Sequence, residues 1–367
     1  MNQNIAVIMA GGTQDPFWPL TNENNPKQFV NLLGDGSLLQ ITYNRLLKFF
    51  EKEHIYIVTQ ASFFVKVIQQ IPNIDVSNLI LEPYARHTTA AISFAFTQLK
   101  QKYSLDDFLY FFPSDHIIND LEKFHTSLDI AQTAATELAS IITLGIQPTS
   151  AMPHYGYIQF DNGRFPNYAL YEQGVRWVRT FAEKPDIQTA QRFIQAGDFV
   201  WNSGIIIFQI SNYEDILLHC LPDYYTAFKR IENAFNKPNF ADELDFSYKS
   251  INPLSFDVGI LEKSKKVFTV ISDFDWFDLD NWDDYYRLSQ KDNANNVTNK
   301  NNIQINTSNS LIYNADTTDN KTIATIDLLD TVIINTTDGL LVCPRSSLHK
   351  IKNVVNLQKF NNSKQKF

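Results

Sequence analysis

Two places in the chain join an apolar, strand-like run to residues that could meet an anion or a metal. Residues 5–10 run directly into Gly11-Gly12. Glycines there would let the backbone approach a phosphate and turn N–H groups towards it, although such a pair taken alone more often marks a tight turn. Residues 108–112 end in Pro113-Ser114-Asp115-His116, which places polar side chains where the run stops. In open α/β sheets the carboxyl edge is where ligands bind. Cys220 and Cys343 are far apart and have neither metal-ligand nor redox spacing, so a reducing, cytoplasmic setting is expected. No Gly-x-Gly-x-x-Gly fingerprint follows the first run, which argues against a nicotinamide enzyme.

The elements that must position these residues show in the alternation of short apolar runs with stretches of helical period. Run 5–10 precedes 38–50, run 55–59 precedes 63–70, and run 80–81 precedes 89–98. This alternation implies βαβ units and a mainly parallel sheet. After residue 288 the texture changes: asparagines crowd 293–309, which predicts a linker over 289–309, followed by short β-rich segments and a final helical stretch. The expected organisation is therefore an α/β domain over 1–288, the linker, and a small β domain over 310–367, with no internal repeat evident. With 367 residues and 44% hydrophobic content, both parts can bury a core. A net charge of −9 disfavours nucleic acid, and run 5–10 is too short to span a membrane. A small-molecule partner is expected, and self-association stays open.

Between residues 10 and 29 stand Gly11-Gly12, Trp18-Pro19-Leu20 and Pro26-Lys27-Gln28-Phe29. There follow, in order, Glu82-Pro83-Tyr84-Ala85-Arg86-His87-Thr88, Pro113-Ser114-Asp115-His116 and Tyr155-Gly156-Tyr157-Ile158. Phe181-Ala182-Glu183-Lys184-Pro185, Trp201-Asn202-Ser203-Gly204, Phe256-Asp257 with Glu262-Lys263-Ser264, and Trp276-Phe277-Asp278-Leu279-Asp280-Asn281-Trp282 complete the set. Together these segments resemble the sugar-1-phosphate nucleotidyltransferases, and within them the mannose-1-phosphate guanylyltransferases. The resemblance implies a Rossmann-like α/β nucleotidyltransferase domain with a mixed, mainly parallel sheet, plus the small C-terminal β domain.

The resemblance also implies the chemistry: transfer of GMP from GTP to mannose 1-phosphate, with Mg²⁺ as cofactor. Asp115 and Asp278 match the family's metal-binding aspartates, and Lys27 matches its phosphate-contacting lysine. Gly11, Gly12, Glu82, Arg86 and Thr88 fall on the nucleotide side. Gly156, Glu183, Lys184 and Asn202 fall on the sugar-phosphate side, a carboxylate accepting from hydroxyls and an ammonium meeting phosphate. Every matched segment precedes residue 293, so the C-terminal part is expected to be separable from the chemistry.

The sequence also departs from the family pattern. Where the family loop reads Gly-Gly-x-Gly-x-Arg, Gln14 replaces the third glycine and Pro16 the arginine that neutralises the triphosphate, with Asp15 adding a carboxylate. Ala85-Arg86-His87 stands for Gly-Arg-Asn, and Asp280 stands where the family has a glycine. Two alternatives therefore stay open: a weakened or inactive regulatory paralogue that keeps the sugar pocket, and a pyrophosphorylase for another nucleotide or sugar.

Overall fold

A computed structural model describes residues 2–12, 16–163, 167–300, 302–315 and 322–364. The chain forms two compact units, one of residues 1–12 and 39–277, the other of residues 13–38 and 278–367.

The first unit is built on strands β1 (Asn4–Met9), β2 (Ile55–Gln60), β3 (Leu79–Glu82) and β4 (Phe108–Pro113). It continues with β5 (His116–Ile118), β6 (Ile141–Ile146), β7 (Tyr157–Asp161) and β8 (Val175–Ala182). The last three are β9 (Phe199–Gln209), β10 (Val267–Ser272) and β11 (Trp276–Asp278). Nine of them form one sheet in the order β3-β2-β1-β4-β9-β6-β10-β8-β7, and β5 pairs separately with β11. The sheet is mixed. β3, β2, β1 and β4 run parallel, as do β6 and β10, whereas β9 lies antiparallel to β4 and β6, and β8 antiparallel to β10.

β1 is a continuous apolar run because its neighbours and both faces are covered, so Ile5 to Ile8 are all inaccessible to solvent. Alternation assigns its side chains to two cores. Ile5 and Val7 join Val58, Phe111 and Phe208 against the helices His87–Leu99 and Pro222–Ala234. On the opposite parity of β4, Tyr110 meets Phe50 edge-on at 5.2 Å, and Phe112 meets Phe124 of the helix Leu121–Leu138 at 6.2 Å. Asp120 starts that helix by accepting from Lys123 N at 3.1 Å.

The register then fixes the site. Met9 pairs with Val58 and Pro113, and Gln60 pairs with Glu82. Four parallel strands therefore end together, and Gly11, Glu82 and Asp115 emerge from one edge.

In the second unit, β12 (Val297–Thr298), β14 (Leu311–Asn314) and β16 (Thr331–Asn335) form a parallel ladder closed by antiparallel β17 (Leu340–Pro344). Between these strands in the chain, β13 (Ile303–Ile305) pairs in parallel with β15 (Ala324–Ile326). Here the structure reveals a repeat that the sequence hid. Asn306 donates to Asp327 and Asn335 to Asn314, each pair 21 residues apart, so two successive coils stack in register. Asn306, Asn309, Asp327 and Asp330 turn the corners with φ between 49° and 57°, a region open to Asn and Asp. The asparagine-rich stretch expected as a linker is likewise structured. Buried Asn296 donates to Gln304 Oε1 at 2.7 Å and to the Thr307 carbonyl at 2.8 Å, and accepts from Ser310 N at 3.0 Å. These asparagines close backbone hydrogen bonds instead of solvating a tether.

The expected separation of the C-terminal part also needs correcting, because the segment from Pro16 to Leu38 folds with it. Phe17 meets Trp282 edge-on at 5.1 Å, and Trp282 Nε1 donates to the Trp18 carbonyl at 3.1 Å. Trp282 also packs on Tyr313 at 5.1 Å, while Trp18 Nε1 donates to Gln358 at 2.9 Å. Removing everything after Leu288 strips Tyr313 and Gln358 from this cluster, so limited proteolysis should then cut within 16–38 while the intact protein resists. The point variant Trp282→Ala should cost roughly 3–5 kcal/mol in urea unfolding, the usual loss for a buried aromatic side chain.

Candidate active site

On the side expected to bind the nucleotide, Ala10 N donates to the Val58 carbonyl at 2.9 Å and Thr59 Oγ1 to the Ala10 carbonyl at 2.8 Å, pinning the start of the glycine turn. Gly12 has φ +104°, a conformation that favours glycine. A Cβ on Gly11 would stand 3.7 Å from Glu82 Oε2, so the missing side chain keeps the space in front of that carboxyl open. Gln14 and Asp15 lie outside the described residues. Pro16 is described and sits in a turn.

Glu82 is buried at the end of β3, and burial pushes its carboxyl up to about 8, partly offset by the Tyr248 hydroxyl that donates to Oε1 at 3.2 Å. Arg86 Nε donates to the Tyr248 carbonyl at 2.9 Å, and Thr88 Oγ1 accepts from Phe256 N at 2.8 Å. Arg86 and Thr88 thus brace the segments behind Glu82.

Asp115 follows β4, and Asp278 is the last residue of β11, the strand paired with β5. One ligand atom each from Asp115, His116 and Asp278 falls within 4.8 Å of the others. Two carboxylates suit a hard divalent cation, with water and phosphate oxygens to complete its shell. The buried His116 ring also meets Trp276 edge-on at 5.1 Å. Behind this turn lies a residue that no sequence motif marked: Arg45 Nη1 donates to the His116 carbonyl at 2.9 Å and Nη2 to Thr42 Oγ1 at 3.1 Å. Thr42 Oγ1 in turn donates to the Ser114 carbonyl at 3.1 Å. Burial pulls the Arg45 guanidinium down to about 10.

Of the residues expected on the sugar side, Gly156 lies against Asn202. Its backbone N donates to the Gly156 carbonyl at 2.8 Å, and its Oδ1 accepts from Gly204 N at 3.1 Å and Thr143 Oγ1 at 3.3 Å. Its Nδ2 donates to Asp257 Oδ1 at 2.6 Å. Asp257 belongs to a matched segment but carried no assigned role; the structure makes it the group that orients the amide. Burial raises the Asp257 carboxyl, the Asn202 bond opposes that rise, and the nearby charge of Glu183 adds to it. Glu183 and Lys184 are exposed, and Lys184 has φ +48°, uncommon for a side chain with a Cβ.

Lys27 opens the short 3₁₀ turn Lys27–Phe29 in the second unit, and its Nζ pairs with Asp280 Oδ1 at 2.8 Å. The lysine expected to contact phosphate and the residue in place of the family glycine are thus partners.

Comparison with known proteins bears on the whole length. The profile of the Nucleotidyl transferase family matches residues 5–295. The chain belongs to that family. A second profile, the MannoseP isomerase/GMP-like beta-helix domain, matches residues 300–357, the region of the stacked coils. A mannose-1-phosphate guanylyltransferase of Escherichia coli is 33% identical over 356 residues, spanning 96% of this chain and 75% of that protein. Its counterpart from Salmonella muenchen is also 33% identical, over 99% of this chain and 75% of its own length. These relatives place the chain among the mannose-1-phosphate guanylyltransferases of the family. A crystal structure described as mannose-1-phosphate geranyltransferase from Thermus thermophilus superposes with a TM-score of 0.83 at 26% identity, covering 97% of this chain and 99% of that one.

Glu82 makes stability depend on pH. Its folded value of about 8 lies above the ordinary 4.5, so the folded state holds this proton more tightly. The stabilisation is complete below about 4.5 and is lost as pH rises through about 8. Thermal unfolding from pH 5 to 8.5 should show the wild type losing up to a few kcal/mol, on the order of 1.4 per pKa unit, that Glu82→Gln does not lose. Parallel curves for the two proteins would refute a protonated Glu82.

Proposed function

We propose that this protein transfers GMP from GTP to mannose 1-phosphate, releasing GDP-mannose and pyrophosphate, with Mg²⁺ as cofactor. The observation that most supports this reading is the convergence of Asp115 and Asp278 beyond the carboxyl edge from which Gly11 and Glu82 also emerge. A phosphate oxygen of the sugar phosphate attacks the α-phosphorus; a new P–O bond forms while the bond to the bridging oxygen breaks, and pyrophosphate carries away its electrons. No protein nucleophile is required, so the residues act by positioning and electrostatics. Asp115 and Asp278 would hold the cation, which when bound offsets the charge of the phosphates.

Lys27 meets the polyphosphate, and the backbone at Gly11 and Gly12 lets it approach. Glu82, with Arg86 and Thr88 bracing it, faces the base, where a carboxyl oxygen can accept from the guanine N1 and N2 edge. Glu183 accepts from sugar hydroxyls and Lys184 meets the sugar phosphate. Asn202, oriented by Asp257 and Thr143, points its amide at the sugar beside Gly156. A cytoplasmic, reducing location is consistent with Cys220 and Cys343 being unbridged. Among the described residues no helix is long and apolar enough to cross a membrane.

The deciding assay follows pyrophosphate release from each of the common nucleoside triphosphates with mannose 1-phosphate and Mg²⁺; GTP should be preferred. Asp115→Ala and Asp278→Ala should each lower kcat by at least about 10³ without unfolding the chain, and unchanged Mg²⁺-dependent rates would remove the metal assignment. Asp257→Asn should raise the KM for mannose 1-phosphate several-fold and leave that for GTP unchanged, because it loosens only the amide of Asn202. Pro16 in place of the family arginine favours a second reading, a regulatory paralogue. Sugar phosphate bound without any pyrophosphate released would select it.

A further inference from the structure

The Lys27–Asp280 pair stands out because neither partner is where an ordinary surface ion pair would be. The Lys27 and Asp280 side chains are only 16% and 29% exposed, and Nζ approaches Oδ1 to 2.8 Å. Asp280 is held from behind: its backbone N donates to Asp284 Oδ2 at 3.3 Å, and Asn281 Nδ2 donates to the same oxygen at 2.6 Å. Asn281 Oδ1 then caps the helix Trp282–Leu288 through Asp283 N and Asp284 N. The carboxylate is therefore presented on a braced turn. Lys27 is braced on its side as well, since Phe29 N and Val30 N close the turn on Pro26 O and Lys27 O at 3.0 and 3.1 Å.

We infer that Asp280 is an affinity-setting residue that competes with the nucleotide polyphosphate for Lys27. This rests on the reading of Lys27 as a polyphosphate ligand. An ammonium has three donors, and in this structure one of them is committed to a carboxylate. An arriving polyphosphate must share or displace that carboxylate, and Asp280 also repels it. A glycine at this position would leave the ammonium without this competitor. Together with Pro16 in the place of an arginine, the exchange makes the phosphate side poorer by two positive charge equivalents than the family pattern. Weak ground-state binding of the triphosphate follows, without any change to the residues assigned to the base or sugar.

The test measures binding of GTP and of inorganic tripolyphosphate in EDTA by calorimetry, so that neither the cation nor the sugar enters. Asp280→Gly should tighten both by about 3- to 30-fold at low salt, the range for releasing a partly shielded charge-assisted bond. Asp280→Asn, which keeps the shape and loses the charge, should fall between it and the wild type. The gain should shrink as salt rises. In a Lys27→Met background, Asp280→Gly should return less than half of its gain. Equal gains in both backgrounds would mean simple repulsion and overturn the competition. Unchanged or weaker binding in both Asp280 variants would overturn the inference while leaving the proposed function intact. If Lys27→Met alone leaves both affinities unchanged, the reading of Lys27 falls, and the inference with it.

Discussion

The register of four parallel strands is the constraint on which the rest of the site depends. Because Met9 sits level with both Val58 and Pro113, and Gln60 level with Glu82, the strands stop along one line. Beyond that line the chain turns out of the sheet, and short turns stand at the carboxyl edge where ligands bind in open α/β sheets. A one-residue slip of β4 would exchange the two cores that Phe111 and Phe112 serve, so the packing of phenylalanines on both faces holds Asp115 in place. The accuracy of the edge is inherited from the core.

Polar groups behind that edge are few and cross-braced. Tyr248 touches Glu82 with its hydroxyl and Arg86 with its carbonyl, so one residue of the helix Phe240–Ser250 ties two residues of the β3 edge. Arg45 does the same for Ser114 and His116 through Thr42. Asp257 does it for Asn202. A buried charged group stripped of its partner is costly, so each brace confines the side chain in front of it to a narrow set of positions.

What the sequence revealed follows from how local each signal is. β1 was legible because a doubly covered strand must be apolar along its whole length, and the glycine turn and Asp115 because they adjoin such runs. Matched segments brought Glu82, Asn202 and Lys27 to notice. Their partners carried no local mark: Tyr248 is 166 residues from Glu82, and Asp280 is 253 residues from Lys27. The coils escaped notice because their 21-residue period is kept by Asn and Asp at corners and by generic β-branched positions, which read as turn-rich composition. Asparagines that satisfy buried backbone groups look, in one dimension, like asparagines that face water.

The folding of Pro16 to Leu38 with the C-terminal coils sets an order of events during synthesis. This stretch is synthesised long before its partners: Thr336 donates to the Pro19 carbonyl across 317 positions, and Gln358 accepts from Trp18 across 340. The strands of the first unit can pair as they emerge, whereas the segment bearing Lys27 must wait for residues made after all of them. The nascent protein therefore completes the core of its first unit before the segment bearing Lys27 finds the residues it packs against.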